Sequence, residues 1–127
     1  MNLNLFLQYF KEIKVNPTKL QTQLLSRLDF SKIYGAPHPM LNRYIKGLPR
    51  FYANAIESIK SHLDDFWCYM ESLGAEDGDV YMRTLSESLG GNASFWLYQL
   101  APGSITSYDM FTNLLREEWG KDNDEYI

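Results

Sequence analysis

The side chains best suited to act as nucleophile, base or metal ligand in this 127-residue chain are one cysteine, Cys68, and two histidines, His38 and His62. A thiol needs a base within hydrogen-bond reach to become a nucleophile. His62 precedes Cys68 by six residues, and at about 3.6 residues per turn that separation places the two on different sides of a helix. Cys68 is therefore expected to be a buried or half-buried structural thiol. His38 stands between Pro37 and Pro39 and reads as a surface imidazole. These scattered groups do not compose a zinc site, and a lone cysteine closes no internal disulfide. The acidic pair Asp64-Asp65 and the cluster Glu76-Asp77-Gly78-Asp79 raise calcium binding or general acid work. The cluster lacks the alternating ligands and closing glutamate of a calcium loop, and helix capping accounts for its aspartates. Gly90-Gly91 is followed by no phosphate-loop lysine, and Asn92-Ala93-Ser94 has no secretory signal to make it a glycosylation site. Residue types and spacing thus predict no catalytic, cofactor or metal residues, and the chain is expected not to be an enzyme.

The elements that would position any site are helical. Every sustained periodicity has the helical repeat, and valine occurs only at positions 15 and 80, so the chain reads as all-α. Leu3, Phe6, Leu7 and Phe10 mark a first helix; Asn16 can cap a second, with Pro17 at its first position and Leu20, Leu24, Leu25 and Leu28 along it. A proline- and glycine-rich connector follows, with at most a short helix around residues 41–46. Ile59, Leu63, Phe66, Trp67, Met70 and Leu73 form the strongest stripe, closed by Gly74 in a left-handed conformation. Asp77 or Asp79 can cap the next helix, whose inner face is Val80, Tyr81, Thr84, Leu85 and Leu89. Asn92 can cap a short helix with Ala93, Trp96, Leu97 and Leu100 on one side. Thr106 and Asp109 have the spacing of a capping box for a last helix over 107–119, with Ile105 as a staple and Gly120 as its stop. Across the Pro102-Gly103 corner, Trp96 is expected to share a dry interior with Ile105 and Phe111.

Composition sets bounds on function. Apolar residues make up 45% and charged residues 22%, values that fit a folded globular domain rather than a disordered chain. No apolar run approaches the roughly 20 residues of a membrane span, and the opening residues lack the layout of a signal peptide; a cytoplasmic, non-secreted protein is expected, with no membrane partner. The net charge of −4 is unevenly spread, since residues 1–50 carry eight Lys or Arg against two acids, +6, and the remainder carries −10. Such asymmetry suits either RNA contact through the basic part or attraction between molecules. Rings cluster at Phe51-Tyr52, Phe66-Trp67-Tyr69 and Phe95-Trp96-Tyr98, more than one helical face can hide. Phe95 and Tyr98 are expected to point away from the Trp96 and Leu97 side, which suits a helix-helix interface. Basic residues are not interleaved with these rings, which disfavours RNA binding by residues 51–127.

The segment from Leu48 to Gly120 resembles the Gag capsid-type domain of long-terminal-repeat retrotransposons, above all plant gypsy-like elements. The resemblance rests on Leu48-Pro49 with Phe51, on His62-Leu63 with Phe66, on the acidic turn leading to Val80 and Met82-Arg83, and on Ser88-Leu89, Gly91, Ala93 and Trp96. It continues through Leu100, the Gly103-Ser104-Ile105 corner and Phe111. The chain departs from the pattern at Leu85, Ala101, Tyr108 and Leu115, where Phe, Pro, Trp and Phe are common. The resemblance implies a compact multi-helix bundle like a Gag capsid N-terminal lobe, divided as a basic extension and connector over 1–47, the capsid-like part over 48–120 and an acidic tail over 121–127, all one compact domain. It implies a family core of Leu48, Phe51, Leu63, Phe66, Trp67, Leu89, Trp96, Leu97, Leu100, Ile105, Phe111 and Leu115, with Tyr52, Phe95 and Tyr98 as the candidate interaction surface. The implied function is non-enzymatic self-association into particles around element RNA. The alternative is a domesticated module that holds a peptide or protein in a ring-lined groove, with RNA contact through the basic residues of 1–50 third.

Overall fold

The computed structural model describes residues 19–120, with side chains from Thr22 onward. The helix predicted at Leu3 to Phe10, the Asn16 cap and the acidic tail lie outside the described residues. Six helices occur among the described residues: α1 (Lys19–Leu25), α2 (Arg43–Lys46), α3 (Ile59–Ser72), α4 (Gly78–Ser88), α5 (Gly91–Tyr98) and α6 (Tyr108–Trp119). No strand forms among them; two isolated parallel bridges pair Leu28 with Ile105 and Phe51 with Leu89. The architecture is an all-α bundle, as the periodicity predicts.

α3 starts at Ser58, whose hydroxyl accepts the Ser61 N–H at 3.2 Å, and it is followed by Gly74 at φ +73°. Its buried stripe is Ile59, His62, Leu63, Phe66 and Met70. Trp67, expected in the core, is 46% exposed instead, because it lies about 100° around the helix from Phe66 and falls on the stripe's edge. Cys68, one residue further round, is exposed, which corrects the expectation of a buried or half-buried thiol.

α4 is the central element, packing against α1, α2 and α6. Nine of its eleven residues are buried, Asp79, Arg83, Thr84, Ser86 and Ser88 among them, so it lacks the solvated face its sequence implies. Much of this polarity is satisfied within the helix: Thr84 Oγ1 donates to the Val80 carbonyl at 2.7 Å and Ser88 Oγ to that of Leu85 at 2.6 Å. Helix interiors tolerate such hydroxyls because the i−3 and i−4 carbonyls accept their protons. Asp77 precedes the helix without a side-chain cap bond, and Asp79 does not cap at all.

α5 is preceded by Gly90, not capped by Asn92, and α6 is capped by Ser107, whose hydroxyl accepts the Met110 N–H at 3.0 Å. The proposed Thr106 cap is therefore one residue early. Between them Gly103, at φ +70°, turns the chain. Its N–H donates to the Ser26 carbonyl at 2.9 Å, that of Ile105 to Arg27 at 3.0 Å, and that of Asp29 back to Ile105 at 2.8 Å.

The corner is thus tied to the end of α1, and the segment before residue 48 is part of the core rather than an appendage. Leu24, Leu25, Leu28, Phe30, Met40 and Tyr44 are all buried with the later residues in one cluster. Each such side chain contributes on the order of 1.5–3 kcal/mol. Phe51 joins this connector to the α4–α5 junction: its N–H donates to the Ser88 carbonyl and its own carbonyl accepts from Gly90, both at 2.9 Å. A Cβ at position 90 would stand 2.5 Å from the Tyr52 ring, so a side chain there must displace that ring.

Candidate interaction surfaces

Two polar networks lie inside the bundle. In the first, the fully buried Asp79 accepts the His38 backbone N–H and its Nδ1–H, each at 2.7 Å, and Arg83 Nη2 at 2.6 Å. Arg83, also fully buried, donates to the His38 carbonyl as well and lies 5.6 Å from the centre of the Phe30 ring. His38 is therefore no free surface imidazole: it fastens the connector to α4, with Asp77 3.6 Å from its Nε2. With both its oxygens occupied in this way, Asp79 is a structural anchor. No three of His, Cys, Asp and Glu come together as metal ligands among the described residues.

In the second network His62 Nε2 meets Ser88 Oγ at 3.0 Å. Because the single Ser88 proton goes to the Leu85 carbonyl, His62 Nε2 must be the donor to Ser88. The polarity of that bond is the reverse of what a base activating a serine requires. Phe51 stacks on the His62 ring at 5.4 Å, and burial holds the imidazole pKa down to about 4, so it is neutral at neutral pH. Both histidines are thus built into the scaffold.

Side chains that face solvent give a different picture. On α5, Ala93 and Leu97 are fully buried while Phe95 is 63% and Tyr98 40% exposed. Trp96, expected in the interior with Ile105 and Phe111, is only partly buried: it meets Trp119 edge to face at 5.1 Å, and Leu100 is likewise partly buried at the rim. The true interior position is Leu97, about 100° further round the helix and fully buried. Phe95, Tyr98, Ser94 and Gln23 border a depression of about 340 Å³. Arg27 holds its edge: Nε and Nη2 donate to the Tyr98 carbonyl at 3.2 and 2.7 Å, and the guanidinium lies 5.1 Å from the centre of the Tyr98 ring. Tyr52, at 44% exposure, lies over Gly90 and Gly91.

A second surface lies between α3 and α6. Trp67 stands 5.2 Å from Tyr81 and 6.0 Å from Tyr108, and the Tyr108 ring stacks on Phe66 at 6.2 Å. These rings back a cleft of about 360 Å³ whose polar walls are Asp64, Asp109, Thr112, Asn113 and Arg116. Burial pushes the Tyr108 phenol up to about 12, so it adds no negative charge there. Arg116 Nη1 is held by its own helix, 3.2 Å from Thr112 Oγ1 and 3.4 Å from Asn113 Oδ1. Sequence reading missed this cleft. Tyr108, Thr112 and Arg116 do repeat every four residues, which marks one face of α6, but nothing local announces that this face meets Trp67.

The remaining positions expected in the core, Leu48, Phe51, Leu63, Phe66, Leu89, Leu97, Ile105, Phe111 and Leu115, are buried in the one cluster. Fold and surface together define the class, an all-α multi-helix bundle with a polar-stitched interior and ring-bearing outer faces. No family model, no curated protein and no solved structure matches the chain.

Proposed function

We propose that this chain is a non-enzymatic, Gag capsid-like structural domain that associates with copies of itself. The observation that carries the reading is α5, GNASFWLY, which has no charged residue on any side yet leaves Phe95 and Tyr98 in solvent. Exposed rings at a helix surface mark contact sites. The spacing of Leu48, Phe51, Leu89, Trp96, Ile105 and Phe111 supports the capsid-like part of the proposal. Weak contacts repeated in many copies make such assembly steeply dependent on concentration.

Sedimentation velocity over a wide concentration range tests it. A rising average mass that Phe95→Ser abolishes is the expected result, and a monomer at every concentration and salt would overturn the reading. The depression beside Phe95 and Tyr98 favours a second reading, a module that takes a peptide in that groove; a one-to-one complex with no homo-oligomer would select it. RNA contact through the basic residues of 1–50 comes third, and its mark is binding that falls steeply with salt. No helix among the described residues is long and apolar enough to cross a membrane. A cytoplasmic location goes with the proposal.

A further inference from the structure

The depression beside Phe95 and Tyr98 is a groove between α1 and α5. Gln23 of α1 and Ser94, Phe95 and Tyr98 of α5 border it, and α1 packs directly against α5. Arg27, just beyond the end of α1, holds the far wall in place by donating two N–H bonds to the Tyr98 carbonyl. None of the four bordering side chains is charged, and both rings face outwards. An occupant of such a groove must bring apolar side chains and no unpaired charge.

The chain supplies a segment with that chemistry beside the groove. The described residues begin with α1 at Lys19, and Gln23 lies only about 6 Å along the helix from that residue. Residues 1–18 therefore join the fold next to the groove. Within them the stretch 2–10, NLNLFLQYF, contains no charged side chain, and Leu3, Phe6, Leu7 and Phe10 have the i, i+3, i+4, i+7 spacing of a groove-binding helix. Pro17 disfavours helical backbone at Asn16, so a helix over 3–15 does not run straight on into α1 and can fold back along it. Such a helix measures about 20 Å against about 12 Å for α5, enough to line the groove. The other end of the chain is a poor match, since four of residues 121–127, KDNDEYI, are charged. The α3–α6 cleft is a poor match for an uncharged stripe, with Asp64, Asp109 and Arg116 on its walls. A tethered segment also has an effective concentration on the order of millimolar, which favours it over the same stripe from a second copy.

We infer that residues 3–10 lay their Leu3, Phe6, Leu7 and Phe10 stripe into the α1–α5 groove of the same chain, as a reversible internal cover over Phe95 and Tyr98. The inference goes beyond the self-association reading and holds whether or not the chain associates. It adds regulation to that reading: a second copy that docks through Phe95 must first displace the cover, and release of the segment uncovers the contact surface.

The test has two arms, both on the full chain. In the first, Phe6 is replaced by the photoreactive benzoylphenylalanine, which keeps an aromatic ring at that position, and an equal mixture of isotope-labelled and unlabelled chains is irradiated. Mass spectrometry of the linked peptides then reads both the place and the chain of each link. Links from position 6 to residue 23 or 94–98 within one chain are the expected result. Links to those residues between labelled and unlabelled chains overturn the internal cover and give the groove to a second copy; links elsewhere, or none, overturn it as well. In the second arm the amide NMR spectrum of Phe6→Ser/Phe10→Ser is compared with wild type, with thermal melting to verify the fold. Shifted resonances at Gln23 and across Ser94 to Tyr98 are expected. Unmoved resonances there, or the same shifts produced instead by Tyr126→Ser/Ile127→Ser, overturn the assignment. A chain that stays monomeric at every concentration leaves both arms readable, so this inference and the self-association reading stand or fall separately.

Discussion

α4 and α5 are consecutive helices that invert the usual relation between composition and burial. α4, GDVYMRTLSES, carries an aspartate, an arginine, a glutamate and four hydroxyls, yet nine of its residues are buried. α5, GNASFWLY, is free of charge, yet Phe95 and Tyr98 stand in solvent. The difference teaches where each helix spends its chemistry. In α4 nearly every polar group has a partner inside the fold, so its polarity fixes geometry. In α5 much of the Phe95 and Tyr98 surface is left uncovered by the described residues, so it is available to something beyond them.

The harshest way to break this contrast is Asp79→Ala, which leaves Arg83 charged and buried beside an empty position. The expected loss is about 3–5 kcal/mol, read as a collapse of the thermal melting temperature. Replacing both residues by apolar ones of similar volume should cost far less, since a buried pair gives little net stability over well-packed hydrophobes. If Asp79→Ala melts like wild type, α4 is not organised around its polar groups.

Next in size is the contrast within α5. Leu97→Ala is expected to cost about 2–5 kcal/mol, the range for a fully buried leucine, and Trp96→Ala less, because Trp96 is half-buried against Trp119. Chemical denaturation of the two variants ranks them, and the opposite order would return Trp96 to the interior.

His62 supplies a pH signature of the buried side. Its pKa is near 4 in the folded state against 6.5 in the unfolded chain, so below 6.5 the unfolded state binds the proton more readily. Stability from this residue is therefore complete above pH 7 and falls as the medium is acidified towards 4. Between pH 7.5 and 5 the loss is about 2 kcal/mol. Denaturant titrations at both values, compared with His62→Phe, isolate it; an equal decline in the variant would sink the assignment. The smallest effect on stability belongs to the outer side of α5: Phe95→Ser should stay within about 0.5 kcal/mol of wild type while abolishing self-association by sedimentation.

Legibility in the sequence followed the same division. Helix positions were readable because each rests on local signals: the Leu63, Phe66, Met70 repeat, the Gly74 stop, the Pro102-Gly103 corner. Caps were misjudged by one or two residues, as with Ser107 in place of Thr106, because neighbouring residues offer equivalent oxygens. Trp67 and Cys68 were misplaced because a stripe read from residue types alone has no sharp edge. The Asp79, Arg83 and His38 set was read as a cap, a motif residue and a surface imidazole, since its members are 41 and 45 positions from the histidine. The α3–α6 cleft was invisible for the same reason: Trp67 and Tyr108 come together only when two helices pack.

What the sequence determined by itself is the helices of the described residues, their breaks and the inward periodicity of α3 and α6, because backbone hydrogen bonding and apolar spacing act over a few residues. Tertiary structure alone decided which helix occupies the centre, which buried charges meet and which rings are left outside. Those outcomes depend on groups far apart in the chain, brought together by a core whose exclusion of water sets the cost of every unpaired polar atom.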